Sequence, residues 1–190
     1  MKSNILNAVF IVIGIFFWEN AAAQVENEAE EKFKPHHVLG LAISHAHVFA
    51  GQDADGNRMT HSLPSLGYDY TYRFHPKWGI GLHTDLILEE FIVEKQGGEE
   101  VIERSYPIAP AIMGIYKAGA HWGLLLGAGV EFEKEENFFL NRAGVEYSGE
   151  LPKDWEVFGS LSYDFKWDGY DTWLLGIGIA KSIGKHSKKK

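Results

Sequence analysis

Bulky apolar residues alternate with small or charged ones in eight separate stretches, and this pattern limits the chain more than any other feature. On an extended strand, residues two apart share a face, whereas a helix would need a period near 3.6. The stretches fall near 36–50, 62–75, 78–94, 101–117, 121–133, 138–150, 155–167 and 172–184. In the second, Leu66, Tyr68, Tyr70, Tyr72 and Phe74 oppose Ser65, Gly67, Asp69, Thr71 and Arg73. In the third, Trp78, Ile80, Leu82, Leu86 and Leu88 oppose Gly79, Gly81, His83, Asp85 and Glu89. The fifth sets Trp122, Leu124, Leu126, Val130 and Phe132 against Gly123, Gly127, Gly129 and Glu131. The eighth sets Trp173, Leu175, Ile177 and Ile179 against Gly176, Gly178, Ala180 and Ser182. The bulky face is a continuous apolar surface. The other mixes charges with glycines and cannot make a dry core, which a soluble barrel would need inside. The chain therefore reads as all-β: an eight-stranded antiparallel up-and-down transmembrane β-barrel, with its apolar face on lipid and its polar face on the lumen.

The ends divide the chain further. Lys2, the apolar run Ile5 to Trp18 and Ala21-Ala22-Ala23 have the layout of a secretory leader, so 1–23 is read as a signal peptide. Residues 24–35 are charged (Glu26, Glu28, Glu30, Glu31, Lys32) without an apolar period and read as a flexible periplasmic arm. The barrel occupies 36–184, and 185–190 is a basic tail. Past the leader, no apolar run reaches the roughly 20 residues of a membrane helix. A chain in lipid must then close as a barrel, because no other strand arrangement satisfies its backbone there. The absence of cysteine excludes acylation at the leader junction, disulfides and thiolate metal sites. The formal charge of −8 argues against nucleic acid as a partner.

The connections come in two kinds. His75-Pro76-Lys77, Lys117 to Ala120 and Glu150 to Asp154 are short, whereas Gly51 to His61, Lys95 to Glu100, Lys134 to Asn137 and Asp168 to Asp171 are longer or more acidic. Short periplasmic turns and longer outer loops are the habit of membrane barrels, which puts both termini in the periplasm. Aromatics follow the same division. Phe74, Trp78, Tyr116, Trp122, Tyr147 and Trp155 gather near the turns; Phe49, Phe91, Tyr106, Phe132, Phe165, Trp167 and Trp173 gather near the loops. From Trp78 to Leu88, at about 3.3 Å per residue and a tilt near 40°, a strand climbs roughly 25 Å, the height of an outer-membrane apolar band.

In strand number, alternation and girdles, residues 36–184 resemble the small outer-membrane β-barrel proteins, the OmpA/OmpX-like superfamily. The resemblance implies the cell outer membrane as location, outer-membrane lipid and the barrel-assembly machinery as partners, a monomer, and no cofactor. The chain departs from that group in ending on Lys181 to Lys190, a basic stretch, instead of a terminal aromatic.

The inward face carries Asp69, Arg73, His83, Asp85, Glu89, Glu131, Arg142, Glu146 and Asp164, with Lys166 beside them. An eight-stranded barrel is just wide enough for its own side chains, and buried charges must pair. These residues are expected to form a lumen ion-pair network, with Arg73 and Arg142 meeting Asp69, Asp85 or Glu146. His45 and His47 share a strand face and could offer two ligands to one metal, but two ligands without a third make a weak site. With Gly40, Ala42 and Ser44 pointing in, this pair is expected on the outer surface. Asp53-Ala54-Asp55-Gly56-Asn57 has the opening of a calcium loop, yet Pro64 stands where the closing glutamate belongs. It is expected to be a hairpin turn.

The function expected from these residues is non-enzymatic: structure, adhesion or binding of an extracellular ligand through the loops. A narrow channel for small solutes or ions is the alternative. A rim-located lipid hydrolase of the lipid A deacylase type, drawing on His61-Ser62 or Ser44-His45, is the third.

Overall fold

The computed structural model describes residues 33–53, 55–95 and 100–185. The expected leader, most of the periplasmic arm and the last five residues of the tail lie outside them. Ten strands follow in order: β1 (His36–Gln52), β2 (Arg58–Arg73), β3 (Trp78–Ile87), β4 (Glu90–Glu94), β5 (Val101–Ser105), β6 (Ile108–Ala118), β7 (Trp122–Glu131), β8 (Phe138–Leu151), β9 (Trp155–Lys166) and β10 (Thr172–Ile183).

Eight of these form the wall. The order β10-β9-β8-β7-β6-β3-β2-β1 is antiparallel throughout and closes through a β1–β10 seam running from His37↔Ile183 to Val48↔Thr172. No helix among the described residues is long and apolar enough to cross a membrane; strands do the crossing. The faces fall as the alternation requires. Leu41, Ile43, Leu66, Ile80, Leu126, Leu175, Ile177 and their like are exposed on the outside, where lipid covers them. Trp78 packs on Tyr116 and Trp122 on Tyr147 at the turn end, while Phe49, Tyr106, Phe132, Trp167 and Trp173 ring the other. Close approach dictates two inward glycines of β7. A Cβ on Gly127 would lie 2.0 Å from the Ile112 carbonyl oxygen, and one on Gly129 would lie 2.1 Å from that of Pro110. Only glycine fits there.

The structure corrects two of the eight expected strands. The stretch 78–94 breaks at Leu88–Glu89, and 101–117 breaks at Tyr106–Pro107, where Tyr106 adopts φ 47°. The detached upper halves, β4 and β5, pair with each other from Glu90↔Ser105 to Glu94↔Val101. This hairpin crosses the barrel mouth: β4 leaves β2's side and pairs with the far end of β1 through Gly51↔Val93 and Gln52↔Ile92. A bulge between Val48 and Gly51 turns β1 to meet it. Phe91, expected in the outer girdle, is instead buried under the hairpin beside Val93. With Ala46, Val48, Leu63, Ile87, Phe138, Tyr170 and Leu174 they form an apolar layer inside the mouth. Burying Phe91 and Val93 contributes about 1.5–3 kcal/mol each to holding the hairpin down.

Candidate functional site

The lumen is where the sequence places its charges, and β3, β8 and β9 bring the central group together. Arg142 on β8 holds Asp164 on β9 with two parallel bonds, Nε to Oδ1 at 2.6 Å and Nη2 to Oδ2 at 2.7 Å. Its Nη1 reaches Asp85 on β3, 2.5 Å away. A guanidinium matches carboxylate pairs in this way, and burial strengthens each bond. The one side chain therefore ties three strands together across the interior. Asp69 and His83 adjoin it: Nδ1 of His83 is 3.3 Å from Asp69 Oδ1, and Nε2 is 3.2 Å from Thr71 Oγ1. A small cavity of about 50 Å³ remains, lined by Ser44, Asp69, His83, Asp85, Arg142 and Glu146 among others. That is space for a few waters.

Toward the turn end, Lys117 donates to Ser148 at 2.8 Å, and Arg73 and Lys117 are close enough to Glu146 to offset its charge. Arg73 is buried there and does not join the Arg142 group. Glu89 corrects the expected network. It lies exposed at the bend that begins the hairpin, because β3 ends two residues before it.

A second buried cluster sits at the loop end, and its centre, Arg104 of β5, is absent from the sequence reading. Arg104 Nη2 donates to Glu131 Oε1 at 2.8 Å, and Nη1 donates to the Glu136 carbonyl at 2.7 Å and faces Glu133 at 3.3 Å. Its guanidinium covers the Phe138 ring at 4.8 Å. The Tyr170 hydroxyl donates to the same Glu131 oxygen at 2.7 Å, and Lys166 approaches the other at 3.1 Å. Burial, reinforced by Glu131, pushes the Tyr170 hydroxyl well above its usual range. A third tie is His61, whose Nε2 lies 3.0 Å from the Ile92 carbonyl on the hairpin.

His45 and His47 lie on the outward face with rings 6.5 Å apart. Among the described residues no group of three or more metal-ligating side chains is assembled. The segment from Asp53 to Asn57 is a turn: Asp53 Oδ1 accepts from the backbone of Asp55 at 3.0 Å and of Asn57 at 2.8 Å, and Gly56 takes φ 81°. The Asn57 side-chain amide donates to the other oxygen at 3.1 Å, and this bond, followed by those from the backbone, lowers the Asp53 pKa, so the carboxylate is spent on the turn itself. The sequence-adjacent pairs His61-Ser62 and Ser44-His45 put their members on opposite faces of a strand. His61 instead meets Ile92, and Ser44 meets Ser65 at 2.6 Å.

No family model and no curated protein matches the chain. Solved structures do. Ail, the attachment invasion locus protein of Yersinia pestis, in complex with the heparin analogue sucrose octasulfate, is 18% identical at a TM-score of 0.50, covering 78% of this chain and 99% of its own. Neisserial surface protein A is 10% identical (TM-score 0.47, 80% and 100% covered). The N-terminal β-barrel domain of Pseudomonas aeruginosa OprF is also 10% identical (TM-score 0.47, 79% and 100% covered). At such identities the likeness is one of fold. The chain is an eight-stranded up-and-down transmembrane barrel resembling the small outer-membrane barrel proteins.

Proposed function

We propose that this chain is a non-conducting, non-enzymatic outer-membrane barrel whose work is done on its loop end. The observation that carries the reading is a double closure of the lumen. Arg142 bridges the interior to Asp85 and Asp164, and the β4–β5 hairpin lies over the mouth above it. Either closure alone would obstruct a pore this narrow. In this reading the short-turn end and both chain termini face the periplasm, the assembly machinery inserts the chain, and it stays a monomer.

Charge points to the kind of partner. Asp55, Glu90, Glu100, Glu103, Glu135, Glu136 and Asp168 are exposed at the loop end. A polyanion such as the ligand held by Ail meets the wrong sign here; a basic surface meets the right one. Conductance in planar bilayers tests the closed lumen. The mature chain is expected to show no discrete current steps, and stable steps from the unaltered barrel would overturn the reading in favour of a narrow channel.

A further inference from the structure

A closed barrel has no free strand edges, yet this one reopens an edge at its mouth. β2 pairs with β3 only from Ser65↔Ile87 onward, and the last tie is the Leu88 amide donating to the Pro64 carbonyl at 2.9 Å. Beyond it, the chain that would have continued alongside β2 departs as the β4–β5 hairpin. Pro64 directs its carbonyl toward β3. By antiparallel alternation, Ser62 and Thr60 turn their N–H and C=O groups to the same side. Met59, His61 and Leu63 turn theirs to β1. Among the described residues no strand lies against β2 on that side between Arg58 and Leu63, and Thr60 and Ser62 are exposed.

The edge begins at the outer girdle and runs away from the barrel's middle: Ser62 pairs with His47, which pairs with Trp173, and Thr60 lies beyond them toward the loop. Unpaired backbone groups are tolerated in water but not in lipid. A row of such groups is a template for another strand. Glu89 and Glu90 are exposed where the chain bends from β3 into β4, beside the start of the vacant place, and Asp55 is exposed at the tip of the β1–β2 turn.

We propose that the loop-end edge of β2 receives an extended, lysine- or arginine-bearing segment of a partner protein as an added strand. The proposal rests on the reading of the loop end as the working face. Backbone bonds to Thr60 and Ser62 hold the segment, and the surrounding carboxylates select its charge. A second copy in the same membrane cannot supply the strand. Strands tilted about 40° from the barrel axis, related by an axis along the membrane normal, cross at roughly twice that tilt and cannot pair.

The test uses the barrel in detergent micelles and a fluorescein-labelled decapeptide of alternating lysine and valine. Saturable binding by anisotropy is expected. A fully N-methylated decapeptide of the same charge should bind at least about tenfold more weakly, and a glutamate–valine decapeptide should not bind. Amide exchange at Thr60 and Ser62 should be fast in the free barrel and slow at least about tenfold with the lysine peptide. Ser62→Pro, which removes an edge donor, should weaken binding while leaving the gel mobility of the folded barrel unchanged. Equal binding of the N-methylated peptide would reduce the effect to charge. Protected Thr60 and Ser62 amides in the free barrel would show the edge already filled, and absence of saturable binding would end the proposal. None of these readouts depends on conductance. A barrel that leaks yet binds the peptide through this edge overturns the closed-lumen reading alone.

Discussion

Arg142 and Arg104 are both buried among carboxylates, but they are held by different kinds of structure. Arg142 projects from the middle of β8 toward partners on β9 and β3, strands paired on both sides there. Arg104 belongs to a hairpin joined to the wall by two residue pairs, an apolar layer and side-chain contacts. The first arginine is part of the wall, and the second is a latch on a flap. The same ion-pair chemistry should therefore act globally at one site and locally at the other.

The sharpest way to break this contrast is Arg142→Ala. It leaves Asp85 and Asp164 without the guanidinium that bonds both of them, and breaking a buried pair in this way costs about 3–5 kcal/mol. Urea unfolding in micelles should show the whole barrel shift by that amount. A loss under about 1 kcal/mol would mean that water enters the lumen and screens the carboxylates.

Arg104→Ala should cost less, about 2 kcal/mol, the scale of a hydrogen bond to a charged group. Lys166 and Tyr170 remain to hold Glu131. Amide exchange should rise in 90–94 and 101–105 while the β6–β9 amides keep their protection. Exchange rising everywhere would make the hairpin part of the wall.

His61→Phe removes the bond to the Ile92 carbonyl and keeps a ring beside Phe91, a loss of about 1 kcal/mol read by the same hairpin exchange. The pH dependence of the flap is the smallest effect. Tyr170 ionises at a higher pH in the folded state than its ordinary value of 10.0. The unfolded chain therefore releases this proton first. The stabilisation is complete below about pH 10 and declines as pH climbs toward the folded value. Hairpin exchange should accelerate above about pH 10, and Tyr170→Phe should remove that component.

Most of the wall is legible in the sequence because period two is a direct consequence of strand geometry, and a charge opposite a leucine has only one place to go. Asp85, Arg142 and Asp164 are found by that rule alone. The hairpin is harder to read. Ile87, Phe91 and Val93 keep the parity of His83 and Asp85, so no break in alternation marks the bend at Leu88–Glu89. The signal that remains is a change of character, from polar to apolar, on the inward face. Leu63, Ala46, Val48 and Leu174 repeat it at the same level. Arg104 is hidden for a different reason. Inward residues are even-numbered on β5 and odd-numbered on β6, and the switch occurs at Tyr106–Pro107. An uninterrupted strand would aim Arg104 at lipid. Proline inside a run is the one local hint of this break.

The seam between β1 and β10 has a consequence for how the molecule comes into being. It zips the first strand of the wall onto its last, so it cannot begin to form until β10 has been delivered. Until then β1 and β10 each carry a raw border that hydrocarbon will not accept. Burial in the bilayer and completion of the ring must therefore be coupled, and loss of the twelve residues of β10 should abolish insertion outright instead of yielding a smaller cylinder.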